Sequence, residues 1–151
     1  FAIVGFGSKA VMESLYALVK ELNLSNVHFF GYQPFSVFYS YMKMASVNVI
    51  PHQSNGHTDN TVPHKLFQGM MAGKPLLVSS SAPLKRIVEK HHAGVVFTAG
   101  DPNDFAYQVR LLYHNNKLRE QLGLNGIKAT LDGPLNWENT QKELINLYHS
   151  L

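Results

Sequence analysis

HTDNTVPHKLFQGMMAGKPLLV, residues 57–78, decides the fold of this chain, because it reads in order as a polar loop, a helix start, a short helix, a glycine stop and a buried strand. Pro63 suits the first turn of a helix, where a missing N–H costs nothing and the fixed φ is already helical, so the helix is predicted to begin there. Leu66, Phe67, Met70 and Met71 fall at helical spacing on one face, Gly73 supplies a left-handed C-terminal residue, and Pro75 forbids continuation. Leu76, Leu77 and Val78 form an apolar run too short for a helix and suited to a strand covered on both faces. The helix must therefore pack against a sheet. Its first turn leaves backbone N–H groups unpaired, and these together with the helix dipole favour a phosphate or carboxylate. Thr61, His64 and Lys65 surround that point with a hydroxyl, an imidazole and an ammonium. A capping threonine and a solvated lysine are the plain alternative for the same residues.

The segments on either side have the same grammar. Phe1 to Val4 is an apolar strand running into the loop Gly5 to Ser8, and Val11, Leu15, Leu18, Val19 and Leu22 give residues 9–22 the spacing of an amphipathic helix. Residues 27–30 read as a strand ended by Gly31. Phe35, Phe38, Tyr39 and Met42 mark a helix over 35–44, and Val47, Val49 and Ile50 a strand leading into Pro51. Pro83 opens a helix through Lys90, with His91 and His92 at its end as favourable dipole partners. A strand over 95–97 follows Gly94, and Asp101 with Pro102 forms a cap and first-turn pair for a helix to about Tyr113. Residues 117–131 read as one helix weakened near Gly123 and Gly126, and 137–149 as the last helix. Strands alternating with helices imply βαβ units: an α/β fold with a mostly parallel sheet flanked by helices. In such sheets ligands collect beyond the carboxyl ends of the strands. The loops at residues 5–8, 31–34, 51–62 and 79–83 are expected to share that edge.

At 151 residues and 45% hydrophobic content the chain has the size and core of one globular domain. A formal charge of +3 is scattered, without the clustered stripe of a nucleic-acid reader, so no nucleic-acid partner is expected. The charge gives a mild bias toward anionic ligands or an anionic membrane surface. There are no cysteines, which excludes disulfides and thiolate metal sites. No run approaches the roughly twenty apolar residues of a membrane span. FAIVGFGS lacks the charged start of a secretory signal and reads as a core strand met at its very beginning, so the chain is expected to be a fragment. His52, His57, Asp59 and His64 do not have the spacing of a tight metal site, and neither metal nor cofactor is expected. Gly5, Gly7 and Ala10 make an incomplete dinucleotide fingerprint, with Asn23 and Asn26 where an acidic residue would be required. Ser79 to Ser81 lack a nucleophile elbow.

The order of IVGFG, VHFFGY, SVNVIPHQ, PHKLFQGMMAGKPLLVS, PLKRIVEKHHAGVVF, DPNDFAYQVRLLY, LREQLGLNG and WENTQKELINLY resembles the C-terminal, donor-binding half of family 4 retaining glycosyltransferases of the GT-B fold, a Rossmann-like domain. The resemblance covers nearly the whole chain. It implies a single donor-binding domain over residues 1–151, with the first strand and the N-terminal acceptor domain of the same enzyme missing. It also implies transfer of a sugar from a nucleoside diphosphate sugar, with uridine or guanosine as the base, to a glycan or lipid-linked acceptor. The setting would be the cytoplasm, with peripheral contact at the inner face of the membrane. A GT-B sugar-nucleotide epimerase half and a non-catalytic nucleotide-binding module are the two rival readings.

Carried over residue by residue, the resemblance places Gly31, Tyr32 and Gln33 at the base, and Asn60, Thr61, Val62, Pro63, His64 and Lys65 at the sugar and diphosphate. The family often has two glutamates with seven residues between them, the second holding the ribose hydroxyls. Here those positions read Asn60 and Gln68. Gln68 keeps an oxygen acceptor without the charge that makes hydrogen bonds about twice as strong. The Arg and Lys that neutralise the departing diphosphate would lie upstream of Phe1, so no catalytic residue is assigned within the chain and negligible turnover is expected of it alone. Trp137, Leu144, Leu147 and Tyr148 give the last helix an apolar face suited to docking on the missing half or, without it, to dimerisation.

Overall fold

In a computed structural model that describes all residues 1–151, the chain forms two compact units, residues 1–41 and 42–151. The first holds β1 (Ala2–Ile3), α1 (Lys9–Glu21), β2 (His28–Phe29) and most of α2 (Phe35–Met44). Here β1 and β2 pair in parallel with Ala2 opposite His28. Both strands are shorter than the sequence suggests, since only two residues of each meet a partner. Ser8 caps α1 by accepting from the Val11 amide, and Tyr16 of α1 meets Phe29 edge to face, with ring centres 4.7 Å apart.

The second unit continues with β3 (Asn48–Ile50), α3 (His64–Met71), β4 (Leu76–Ser79), α4 (Ala82–His91), β5 (Gly94–Phe97), α5 (Pro102–His114), α6 (Asn116–Ile127), a π-helical turn (Lys128–Asp132) and α7 (Trp137–His149). Its sheet has the order β3-β4-β5, all parallel, with Ile50 opposite Val78 and Val78 opposite Val96. The α/β architecture with parallel strands flanked by helices is as expected. The pairing is divided between a two-stranded and a three-stranded sheet.

Every residue of β4 is buried. Leu76 and Val78 join Ile50, Leu66, Met70, Leu84 and Val88 in one apolar cluster, while Leu77 joins Phe97, Leu112 and Leu122 in another. Side chains alternate across a strand, so the two clusters lie on opposite faces of β4. The short apolar run therefore forces helices onto both sides.

Four local expectations are corrected. Pro63 takes the N-cap place with extended torsions (φ −73°, ψ 139°), so α3 starts one residue later, at His64. Met71 is exposed, and Gly69 is buried on the inner face in its place, because a β-carbon there would stand 2.6 Å from Leu76 Cδ2. The helix that carries Gly123 and Gly126 runs through both unbroken and ends at Ile127, short of the expected residue 131. Each admits a close approach: a β-carbon on Gly123 would lie 2.3 Å from the Gly73 carbonyl oxygen, and one on Gly126 3.2 Å from Met70 Cα. Gly73 itself is left-handed as expected, with φ +69°. Lastly, the histidines ending α4 are not simple dipole partners. His92 adopts the left-handed conformation (φ +48°) as C-cap, and Asn125 Nδ2 donates to its carbonyl at 2.9 Å. Burial, then the charges of Lys90 and His92, hold the pKa of His91 below its usual 6.5.

Two outcomes follow for stability. Helix propensity favours Gly123→Ala by about 1 kcal/mol, but overpacking costs about 1–3 kcal/mol, and against a backbone atom that cannot turn aside about 2–3 kcal/mol. Urea unfolding should show a net loss of about 1–2 kcal/mol, while Gly56→Ala, where a β-carbon meets nothing within 4 Å, stays within about 0.5 kcal/mol of the parent. Equal stability of Gly123→Ala and the parent would mean that α6 does not seat on Gly73. For pH, the unfolded chain protonates His91 as pH falls through about 6.5 while the folded chain resists, so stability falls below that pH. His91→Gln should flatten the decline in thermal midpoint between pH 6.5 and 5, and an unchanged slope would remove His91 as a contributor.

Candidate functional site

Because the three strands of the second unit are parallel, the segments after β3, β4 and β5 leave the sheet at one edge. The longest of them, residues 51–63, is polar and braced by its own side chains. Asn55 Oδ1 accepts from the amides of His57 (2.9 Å) and Thr58 (3.0 Å), a local turn that this residue type favours. Ser54 Oγ donates to Asp59 Oδ2, and Thr58 Oγ1 donates to the Gln53 carbonyl. Serines at the end of β4 fasten the neighbouring segments: Ser81 Oγ donates to the Thr58 carbonyl (3.2 Å) and Ser80 Oγ accepts from the Ala99 amide (3.0 Å).

Several expected ligand-binding residues have duties in this loop. Asn60 Nδ2 donates to the Gly56 carbonyl (2.8 Å) and Thr61 Oγ1 to the His57 carbonyl (3.0 Å). Asn60 Oδ1 and the lone pairs of the Thr61 hydroxyl remain as acceptors. Val62 packs against the cluster that contains Leu66 and ties the loop to the core.

At the start of α3, Pro63 offers no side-chain cap; the Leu66 amide donates to the Pro63 carbonyl (3.0 Å), and the amides of His64 and Lys65 keep the unpaired state typical of a helix start. His64 and Lys65 are exposed there. Lys65 makes no ion pair, since the two salt bridges of the chain are Lys9–Glu13 and Lys85–Glu89. Although the residue as a whole is exposed, its ammonium stands in protein-dense surroundings, and that loss of water lowers its pKa from 10.5. Gln68 lies half-buried three residues on, at the spacing that makes helical neighbours, and no hydrogen bond within the chain engages its amide.

The sequence offers His52 only as a candidate metal ligand, yet it belongs to the same surroundings. It stands two residues beyond β3, with Nδ1 sealed from solvent and without a hydrogen-bond partner. Burial lowers its pKa first, then the charges of Lys65 and His57. His52, His57, Asp59 and His64 do not gather into a metal-binding set.

In the first unit, Gly31 is left-handed (φ +62°) and its carbonyl accepts from the Gly5 amide at 2.8 Å, which joins the loops after β1 and β2. Tyr32 is 71% exposed, and Gln33 Nε2 donates to the Phe30 carbonyl (2.8 Å). Phe6, which in the sequence is no more than loop punctuation, meets Tyr32 edge on with ring centres 5.9 Å apart. Together they present an exposed aromatic surface.

A hollow of about 790 Å³ lies elsewhere, among Ser46, Val47, Tyr113, His114, Lys117 and Arg119. Its guanidinium is already committed: Arg119 donates to the carbonyls of Leu112 and Tyr113 and to Asn116. No helix of the chain is long and apolar enough to cross a membrane.

Comparison with known proteins gives this arrangement its context. The chain is 26% identical over its full 151 residues to an uncharacterized glycosyltransferase, MJ1178, of Methanocaldococcus jannaschii, and spans 40% of that protein's length. Among solved structures, sucrose-phosphate synthase of Thermosynechococcus elongatus superposes with a TM-score of 0.81 at 22% identity, over 99% of this chain and 37% of that one. The Anabaena protein HepE, solved in complex with UDP-glucose, superposes with a TM-score of 0.80 at 17% identity, over 99% of this chain and 40% of that one. These likenesses show the fold, the parallel α/β architecture of GT-B glycosyltransferases. Residues 1–129 match the profile of the family described as glycosyl transferases group 1, and with most of its length under that profile this chain belongs to the group 1 glycosyl transferases.

Proposed function

We propose that the chain is the donor-binding domain of a family 4 retaining glycosyltransferase, which takes a sugar from a nucleoside diphosphate sugar and passes it to a glycan or lipid-linked acceptor held by a separate N-terminal domain. The observation that carries this reading is the start of α3: an uncapped helix end with an unpaired, partly desolvated ammonium, Lys65, in its first turn. An ammonium that has lost water without gaining a counter-charge is stabilised by an anion, and hydrogen bonds to charged groups are the stronger kind. The Anabaena structure that matches nearly all of this chain holds a uridine diphosphate sugar, which supports the same ligand class here.

In this reading the diphosphate lies against the amides of His64 and Lys65, with the Lys65 ammonium on its oxygens. Pro63 fixes the direction in which those amides open, and Val62 fixes the loop. Asn60 Oδ1 and the Thr61 hydroxyl accept from sugar hydroxyls, and Gln68 meets the ribose. Gly31, Tyr32 and Gln33 of the first unit are the residues that the resemblance offers to the base, and there the ring of Tyr32 beside Phe6 is an exposed stacking surface. Bond cleavage leaves negative charge on the departing diphosphate, and the Lys65 ammonium and first-turn amides are the groups of this chain that would face it.

Isothermal titration with uridine and guanosine diphosphates and their glucose and mannose derivatives tests this directly. One diphosphate series should bind, and absence of binding by all of them at millimolar concentration would overturn the reading. Gln68→Ala should weaken the binding ligand by about 1 kcal/mol, the scale of one neutral hydrogen bond, and unchanged affinity would take Gln68 out of the site. Lys65→Ala should weaken a nucleoside diphosphate more than the parent nucleoside. Equal losses would argue that Lys65 does not meet the phosphates.

A further inference from the structure

We propose that His52 takes up a proton when a diphosphate binds at the start of α3, so that donor binding by this domain is linked to protonation of a residue outside the binding motif. The inference rests on the donor-site reading and adds a partner to Lys65. His52 leaves β3 two residues before the polar loop, and its ring is packed so that Nδ1 has neither water nor a protein acceptor or donor. A buried ring nitrogen without a partner is costly, and its usual remedy is a hydrogen bond or a charge of the right sign.

The charges that act on His52 are Lys65, from α3, and His57, from its own loop, and both are positive when charged. No carboxylate counters them. Asp59 of the same loop receives the Ser54 hydroxyl through Oδ2, and Lys85 and Glu89 of α4 pair with each other at 4.0 Å. In the chain by itself, burial first and then the charge of Lys65 favour the neutral form of His52. A diphosphate brings at least two negative charges into the cluster. It offsets Lys65 and brings negative charge to the cluster, which raises the pKa of His52 in the complex against the opposing effect of burial. Linkage then requires that binding tighten as pH falls from neutrality toward the pKa of His52 in the complex.

Calorimetric titration of the whole chain with uridine diphosphate at about pH 7.5, in two buffers of different ionisation enthalpy, counts protons exchanged on binding. The parent should take up a substantial fraction of a proton per ligand. His52→Gln should take up none and bind several-fold more weakly at about pH 6.5 than the parent while differing little at about pH 8.5, and uridine alone should exchange no proton with either. Equal proton counts in parent and His52→Gln would overturn the inference. Should that variant not fold, the His52 imidazole NMR signal of the unaltered chain decides the matter: its titration should move to higher pH with uridine diphosphate, and an unmoved titration overturns the inference. Binding without proton uptake defeats this inference alone, whereas no binding of any nucleoside diphosphate defeats the donor-site reading and this inference with it.

Discussion

The constraint on which the second unit depends is that β4 has no free face. Leu76, Leu77 and Val78 are fully buried, and their alternation sends two side chains into one apolar cluster and one into the other. Each such side chain is stabilised by about 2 kcal/mol on burial, so exposing either face costs more than any single loop interaction could restore. Parallel pairing then sets β3 and β5 level with β4 on either side. The strand ends stand in register, and the segments that follow them open on one edge. Close approach completes the arrangement: a β-carbon on Gly94 would lie 2.1 Å from the Leu76 carbonyl oxygen, and one on Gly123 would lie 2.3 Å from that of Gly73.

What happens at that edge is visible in how the helices are capped. Ser8, Asp101, Asn115 and Asn136 each accept an amide from the first turn of the helix they precede. Pro63 and Ser81 do not. Ser81 is of a type able to cap, but its hydroxyl is committed to the Thr58 carbonyl and holds the long polar loop in place. Pro63 has no side-chain acceptor at all. The starts of α3 and α4, like that of α2 after Pro34, are thus left without side-chain caps, and α3 and α4 follow strands of the parallel sheet at whose carboxyl ends ligands collect. At the one with Lys65, amides and ammonium face the same chemistry.

Much of this is legible in the sequence, and the exceptions share a cause. The helices over 35–44 and 137–149 have the bounds their apolar spacing predicts, and Asp101 caps α5 as its pairing with Pro102 implies. These are local signals with local consequences. Gly69, Gly123 and Gly126 carry no such signal, because their meaning lies in residues distant in sequence, namely Leu76, Gly73 and Met70. His92 holds a conformation usually left to glycine, and Asn125, far along the chain, donates to its carbonyl. The π-helical turn after α6, with Thr130 Oγ1 donating to the Gly126 carbonyl at 2.8 Å, has no sequence mark either. At the site, the start of α3 is readable from Pro63 and Lys65. Phe6 and His52 are not, because an exposed ring pair and a sealed ring nitrogen are facts of packing.

The neutral amides at positions 60 and 68 fit this electrostatic pattern. A glutamate at 68 would stand three residues from Lys65 and four from His64, the two spacings at which helical side chains pair. It would hold a ribose strongly, yet it would also give the Lys65 ammonium a counter-charge within its own helix. In the proposed donor site Gln68 forgoes the charge-assisted bond to the sugar and leaves Lys65 unpaired, its ammonium shifted by burial alone. Asn60 has the same effect in the loop, where its amide serves the Gly56 carbonyl and its oxygen stays neutral. In the proposed donor site the two amides would together move the grip on a ligand from its ribose to its diphosphate. The Lys65 contribution should accordingly outweigh that of Gln68, and the site should be more sensitive to ionic strength than one in which paired glutamates hold the hydroxyls.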